Sequence, residues 1–132
     1  MRSVLADTGP LYASIDPDDS HHERARGELK RLAQERRGVM VACPTVLESH
    51  RLLLQRLGRK SASSWLDEVL KTGALVNPSE QDYLEGVMIL SVLPDQAITL
   101  FDATLAVLAS RLKLEVWTYD HHFDVMRCKV WR

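Results

Sequence analysis

Residues 3–10, SVLADTGP, pass from an apolar run directly into a charge and then into a turn-forming pair. Residues 3–6 read as a short buried strand, too brief for a helix and bounded by Gly9 and Pro10. A strand that ends in Asp7 has two explanations. The carboxylate can cap the next turn by accepting from free backbone N–H groups, or it can be the first of several oxygen ligands gathered around a metal.

Working outward, VMVACP from Val39 reads as a second strand stopped by Pro44, ALVNP as a third closed by Asn77 and Pro78, and EVWTYD and KVW as two more near the end. Helices are expected between them. From about Asp18 to Arg36, Ala25, Leu29, Leu32 and Ala33 recur at helical spacing, with Gly38 as the stop. A helix from about Thr45 to Leu57 stops at Gly58, another through SASSWLDEVLKTG stops at Gly73, and a third opens at Ser79 and ends before Pro94. LFDATLAVLASRL is apolar nearly all round, the pattern of a helix buried between neighbours. Alternating strands and helices imply an α/β fold: a three-layer α/β/α sandwich around a central parallel sheet of about five strands, built as one domain over residues 1–132. Functional groups in such sheets collect at the carboxyl ends of the strands.

The bulk composition agrees. An apolar share of 45% and a charged share of 27% are those of an ordinary globular domain, and no stretch approaches the roughly 20 apolar residues that cross a bilayer. Arg2 before a short apolar run is not the pattern of a secretory leader, so secretion is not expected. Cys43 and Cys128, without CxxC spacing, read as small core hydrophobes on strands, which suits a reducing cytoplasm. A net charge of −1 neither demands nor excludes a polyanionic partner.

Four acids map to one sheet edge. Asp7 follows the first strand and Asp120 follows EVWT. Glu48 lies about one turn into the helix after the second strand, and Asp102 interrupts a run whose burial would penalise an unpaired carboxylate by several kcal/mol. Carboxylates held close together repel unless a cation neutralises them, and an all-oxygen set suits Mg²⁺ or Mn²⁺. Such a site serves phosphoryl transfer, most simply with two ions bridged by a shared carboxylate, for which Asp7 is the natural choice. The Thr118 hydroxyl, two residues before Asp120, is placed to hold a carboxylate or a water.

Each acid also has an ordinary structural use. Thr45 and Glu48 have the TxxE spacing of a capping box, Asp102 and Asp7 can cap helices or turns, and Asp120 and Asp124 can be turn residues. The five histidines lack HExxH spacing, and adjacent residues such as His121 and His122 seldom both face one ion, so a zinc site is not expected. A phosphatase with a nucleophilic Asp7 would need an acid two residues on, where Gly9 stands. No GxGxxG or GxxxxGK(S/T) run occurs. Trp65, Trp117 and Trp131 read as core rather than as stacking platforms for bases.

The stretches VLADTGPLYASIDPDDSHHERA, PTVLESHRLL, LFDATLAVLA and VWTYDHHFD, in this order and spacing, resemble the PIN domain family of metal-dependent ribonucleases, and more closely its VapC-type toxins. The resemblance implies a Mg²⁺- or Mn²⁺-dependent endoribonuclease that cuts RNA with an activated water. Asp7, Glu48, Asp102 and Asp120 would be the metal-binding catalytic acids, Asp124 a fifth acid, and Thr8 and Thr118 supporting residues. It also implies a homodimer in the cytoplasm, silenced by a small antitoxin. A non-toxin PIN ribonuclease and a non-catalytic module that binds RNA or protein are the alternatives. Gly9, Pro10 and the pair His121 and His122 depart from the family pattern. For RNA contact the chain offers Arg51, Arg56, Arg59 and Lys60, with Arg111, Lys113, Arg127, Lys129 and Arg132 elsewhere; the simpler reading of these is a solvated face.

Overall fold

Val4, Leu5 and Ala6 have no solvent exposure and form β1 (Val4–Ala6), an inner strand of a sheet that places every strand in parallel. The computed structural model describes residues 3–72 and 74–132. After β1 come α1 (Thr8–Ile15), α2 (His22–Gln34), β2 (Val39–Ala42), α3 (Cys43–Leu57), α4 (Arg59–Thr72) and β3 (Leu75–Val76). The chain then forms α5 (Glu80–Val92), α6 (Leu100–Leu112), β4 (Glu115–Trp117) and the short α7 (His122–Val125). The strand order is β3-β2-β1-β4, with Ala6 opposite Val41 on one side and Trp117 on the other.

Alternate residues of β1 serve opposite faces, as the pleat requires. Val4 and Ala6 join a cluster with Leu11, Leu32, Leu53, Trp65 and Trp131, while Leu5 joins one with Leu105, Leu108, Val116 and Phe123. The sheet is therefore covered on both sides, the arrangement a parallel sheet needs. All three tryptophans are buried, as expected of core residues.

Several expectations change. The described residues hold four strands rather than about five, because the KVW segment touches β4 only through the single bridge of Val130 to Val116. Its two backbone hydrogen bonds flank that bridge, and Trp131 then turns into the core. Neither cysteine lies on a strand or is fully buried: Cys43 opens α3, and Cys128 follows Arg127, whose φ is 60°. A helix not foreseen, α1, follows Asp7 at once; Pro10 sits in its first turn, where a missing N–H costs no intrahelical bond. The helix placed from Asp18 to Arg36 is shorter, since the Asp16 and Asp19 carboxylates accept from the backbone of Asp18 and His21 in local turns, and left-handed Arg36 follows its end. Gly58, at φ 93°, ends α3 as expected. The anticipated stop at Gly73 lies outside the described residues.

α6 occupies the expected residues, and α5 packs along it. Their approach depends on Gly86, where a Cβ would lie 2.9 Å from Thr104 Oγ1 and 3.2 Å from Thr104 N. Asp82, completely buried on α5, accepts from Arg111 Nε at 2.9 Å and Nη2 at 2.7 Å, a two-pronged tie between the helices. No helix of the described residues is long and apolar enough to cross a membrane.

Candidate active site

The carboxyl end of β1 delivers Asp7 to the start of α1, and both of its oxygens are held. Thr8 N donates to Oδ1 at 2.8 Å, and the Thr118 hydroxyl, one residue past β4, donates to Oδ2 at 2.8 Å. Thr118 Oγ1 in turn accepts from Asp120 N at 3.0 Å, so one hydroxyl fixes two acid-bearing segments. Asp120 Oδ1 accepts from His122 N at 2.9 Å and lies 2.9 Å from His122 Nδ1.

Glu48 is not a cap. α3 begins at Cys43, which puts Thr45 at its third residue and Glu48 beyond the first turn, so the TxxE spacing has no helix end to serve. The Thr8 hydroxyl donates to Glu48 Oε2 at 2.5 Å instead, across 40 positions of chain. Asp102 does cap: α6 opens with a capping box in which Asp102 Oδ2 accepts from Thr99 N at 3.3 Å and Thr99 Oγ1 accepts from Asp102 N at 3.1 Å. That box aims the carboxylate back over the helix start and leaves it half-buried rather than sealed in the core.

Asp7, Glu48, Asp102 and Asp120 all line one cavity of about 360 Å³, with Thr8, Gly9, Thr99, Phe101 and Tyr119 completing its wall. Among the described residues, no lysine or arginine lines it. Burial pushes the Asp7 carboxyl up to about 6 against the hydrogen bonds from Thr118 and Thr8, and the nearby Asp102 and Asp120 charges push it the same way. Asp102 is raised as well, first by burial and then by Asp120, while its Thr99 hydrogen bonds and His122 act in the opposite direction. A cluster of this kind accumulates negative charge that no lysine or arginine among the described residues of its wall offsets.

Asp124 stands apart, exposed on α7 and paired with Arg132 at 2.7 Å. Arg51, Arg56, Arg59 and Lys60 are exposed on α3 and the start of α4 and do not line the cavity; Arg56 lies over the Tyr12 ring at 5.0 Å. Arg111 and Arg132 are paired with Asp82 and Asp124, each at 2.7 Å. A larger cavity, about 710 Å³, opens between α6 and the C-terminal segment beside Lys113, Arg127, Cys128 and Lys129, with no comparable convergence of acids.

Tyr119 was not foreseen at the site. Its hydroxyl donates to Glu28 Oε1 at 2.6 Å, Trp117 Nε1 donates to the same oxygen at 3.0 Å, and Arg24 covers the Tyr119 ring at 4.2 Å, so α2 braces one wall of the cavity. The Thr99-x-x-Asp102 spacing was a readable sign of the capping box. The histidine pair also differs from expectation: the ring centroids of His121 and His122 lie 4.2 Å apart, and one ligand atom from each, with an Asp120 oxygen, all lie within 4.8 Å of one another.

A family profile described as PIN domain matches residues 4–127. No protein of curated function matches the chain. Among solved structures, VapC20 of Mycobacterium tuberculosis, described as a Sarcin-Ricin loop cleaving toxin, is similar at 20% identity and TM-score 0.84, over 98% of this chain and 99% of that one. FitAcB of Neisseria gonorrhoeae gives 22% identity and TM-score 0.76 over 100% of this chain and 97% of that one. VapBC2 of Rickettsia felis, bound to a DNA fragment from its promoter, gives 14% and 0.73 over 100% of both chains. At these identities the likeness is one of fold.

Proposed function

Because the chain belongs to the PIN domain family, we propose that it is a divalent-metal-dependent endoribonuclease and the toxin of a VapBC-type toxin–antitoxin pair. The observation that carries this reading is that four carboxylates line one cavity to which no lysine or arginine of the described residues contributes. The donor set fits a hard dication, since every candidate ligand is a carboxylate oxygen; Asp7 is raised chiefly by burial, and the Asp102 and Asp120 charges add to the rise. Mg²⁺ or Mn²⁺ would be held by Asp7, Glu48, Asp102 and Asp120. When bound, it supplies a positive centre that acidifies a water and offsets charge developing on the phosphate oxygens.

The protein's own part is to fix the oxygens. Thr118 and Thr8 N hold Asp7 in one orientation, the Thr8 hydroxyl holds Glu48, the α6 capping box holds Asp102, and the His122 backbone holds Asp120. Holding each acid in one orientation limits the reorganisation that would oppose in-line attack on an RNA phosphodiester.

Partners follow from the same reading. FitAB and VapBC2 are solved bound to DNA, and a small antitoxin is the corresponding partner here. A second copy of the chain suits the exposed apolar stripe along α5, formed by Tyr83, Leu84, Val87, Met88 and Val92. Two free cysteines are at home in a reducing cytoplasm.

The test is cleavage of single-stranded RNA with Mg²⁺ or Mn²⁺, run beside calorimetric titration of the metal. Asp7→Asn is expected to abolish cleavage and weaken metal binding, and Glu48→Gln to do the same with an unchanged melting temperature. Cleavage that persists in Asp7→Asn defeats the mechanism; metal-independent RNA binding without cleavage by the unsubstituted chain indicates a non-catalytic module.

A further inference from the structure

His121 and His122 directly follow Asp120, which lines the acidic cavity, and nothing in the proposed chemistry uses their rings. They are nevertheless arranged as ligands. Consecutive side chains usually diverge, yet these ring centroids lie 4.2 Å apart, the rings tilted at 34° to each other. Asp120 Oδ1 lies 2.9 Å from His122 Nδ1 and 3.9 Å from His121 Nδ1. Metal–ligand bonds of roughly 2.0–2.2 Å place adjacent ligands about 3.3 Å apart in a tetrahedral zinc site, between these two separations. The His121 side chain is 76% exposed, so it is free to rotate and bring the three ligand atoms, within 4.8 Å of one another, to that spacing. Its exposure also leaves an entry path and open coordination positions.

Imidazole nitrogen favours borderline first-row dications, whereas Mg²⁺ prefers oxygen. We propose that Asp120, His121 and His122 form a second site, for a dication of the Zn²⁺ class, which shares Asp120 with the acidic cluster. Sharing has a consequence. A carboxylate drawn toward the histidine pair is withdrawn from Asp7, Glu48 and Asp102, so occupancy of the outer site opposes occupancy of the inner one by Mg²⁺. The outer site thereby acts as an inhibitory sensor of borderline metals; this regulatory part rests on the nuclease reading, and the binding part does not.

The experiment titrates Zn²⁺ into the full chain in the presence of saturating Mg²⁺, without RNA, by calorimetry. The unsubstituted chain is expected to bind Zn²⁺ through this site, and His121→Ala to weaken that binding by at least about tenfold, as loss of a ligand should do when outer-shell changes alone cost that much. His121→Ala is the informative variant because its side chain is mostly in solvent; His122→Ala, more buried, is accompanied by a metal-free melting curve to confirm folding. Co²⁺ provides a second readout, its visible absorption bands changing when an imidazole ligand is removed. Asp7→Asn is expected to lose Mg²⁺ and keep Zn²⁺. Equal Zn²⁺ affinity in the unsubstituted chain and His121→Ala, or no Zn²⁺ binding at all, overturns the site. In a parallel assay Zn²⁺ should suppress Mg²⁺-supported RNA cleavage by the unsubstituted chain, and suppress it less in His121→Ala. Equal suppression overturns the regulatory part, while absence of cleavage with Mg²⁺ alone counts against the nuclease reading and leaves the Zn²⁺ result standing.

Discussion

Asp7 shows how one side chain serves both structure and site. It caps α1 through Thr8 N, yet the same carboxylate is 6% exposed beside Asp102 and Asp120, and its pKa is pushed up to about 6, chiefly by burial. In the unfolded chain it returns to the ordinary carboxylate value of about 3.9. Between these values the folded state holds more protons than the unfolded state, so Asp7's contribution to stability falls as pH rises from about 4 to 6 and stays low above that. For the metal-free protein the effect is on the order of 2 to 3 kcal/mol. Asp7→Asn is therefore expected to stabilise the metal-free chain at pH 7 and to flatten this part of its pH dependence. Urea denaturation at pH 4.5 and 7 checks it: an Asp7→Asn chain less stable at pH 7 than the unsubstituted one would mean that the hydrogen bonds outweigh the burial. Added Mg²⁺ should reverse the ranking at pH 7, because only the intact carboxylate gains from the ion.

At the scale of elements, the sequence was most readable where local chemistry and tertiary packing agree. α6 matched because its apolar run and its Thr99 box specify the same start, and α5 because Ser79 and Asp82 do likewise. α1 was hidden by Gly9 and Pro10, which read as a turn although the first helical turn tolerates both. The start of α3 differs because Pro44 marks a strand end and a helix beginning equally well, and that shift removes the capping alternative for Glu48 and leaves its reading as a candidate site acid. The α5–α6 pair carries two predictions. Gly86→Ala places a methyl 3.2 Å from the Thr104 backbone, which cannot yield as a flexible side chain would, and should cost about 1–3 kcal/mol in urea denaturation. Arg111→Met leaves Asp82 buried without its guanidinium and should cost about 2 kcal/mol near neutral pH, toward the lower end for buried pairs because Arg111 is 47% exposed. The guanidinium holds Asp82 down to about 2, so the tie acts above the ordinary carboxylate range and is lost as pH falls through about 2. The difference between the two chains should therefore shrink on acidification; a difference that grows would exclude the ion pair as its source.

Over the whole molecule, the parallel sheet and the gathering of acids at its carboxyl edge could be read from strand and helix alternation, because topology alone brings Asp7 and Asp120 together across more than a hundred positions. What alternation could not supply was anything decided by side-chain direction: the paired histidines, the Glu28 brace on Tyr119, and the outer face of α5. Tyr83, Leu84, Val87, Met88 and Val92 recur at intervals that align on one side of a helix, while Asp82 and Gly86 are buried on the side against α6, so a polar residue faces inward and apolar ones outward, the reverse of the usual amphipathic pattern. Leu100, 42% exposed at the start of α6, adds to the outward apolar surface. A self-complementary contact made around a two-fold axis would pair each copy's α5 stripe with the other's. Val87→Glu would then bury a carboxylate at the centre of that contact without disturbing the core, since Val87 is 48% exposed in the single chain. Sedimentation equilibrium should show a dimer for the unsubstituted protein and at least about a tenfold weaker self-association for Val87→Glu, the loss expected when a central interface position is disrupted. Melting of the two chains should differ only through the concentration dependence that dimerisation confers. If the unsubstituted chain is monomeric throughout the concentration range, or Val87→Glu dimerises as well as it does, α5 is not the contact.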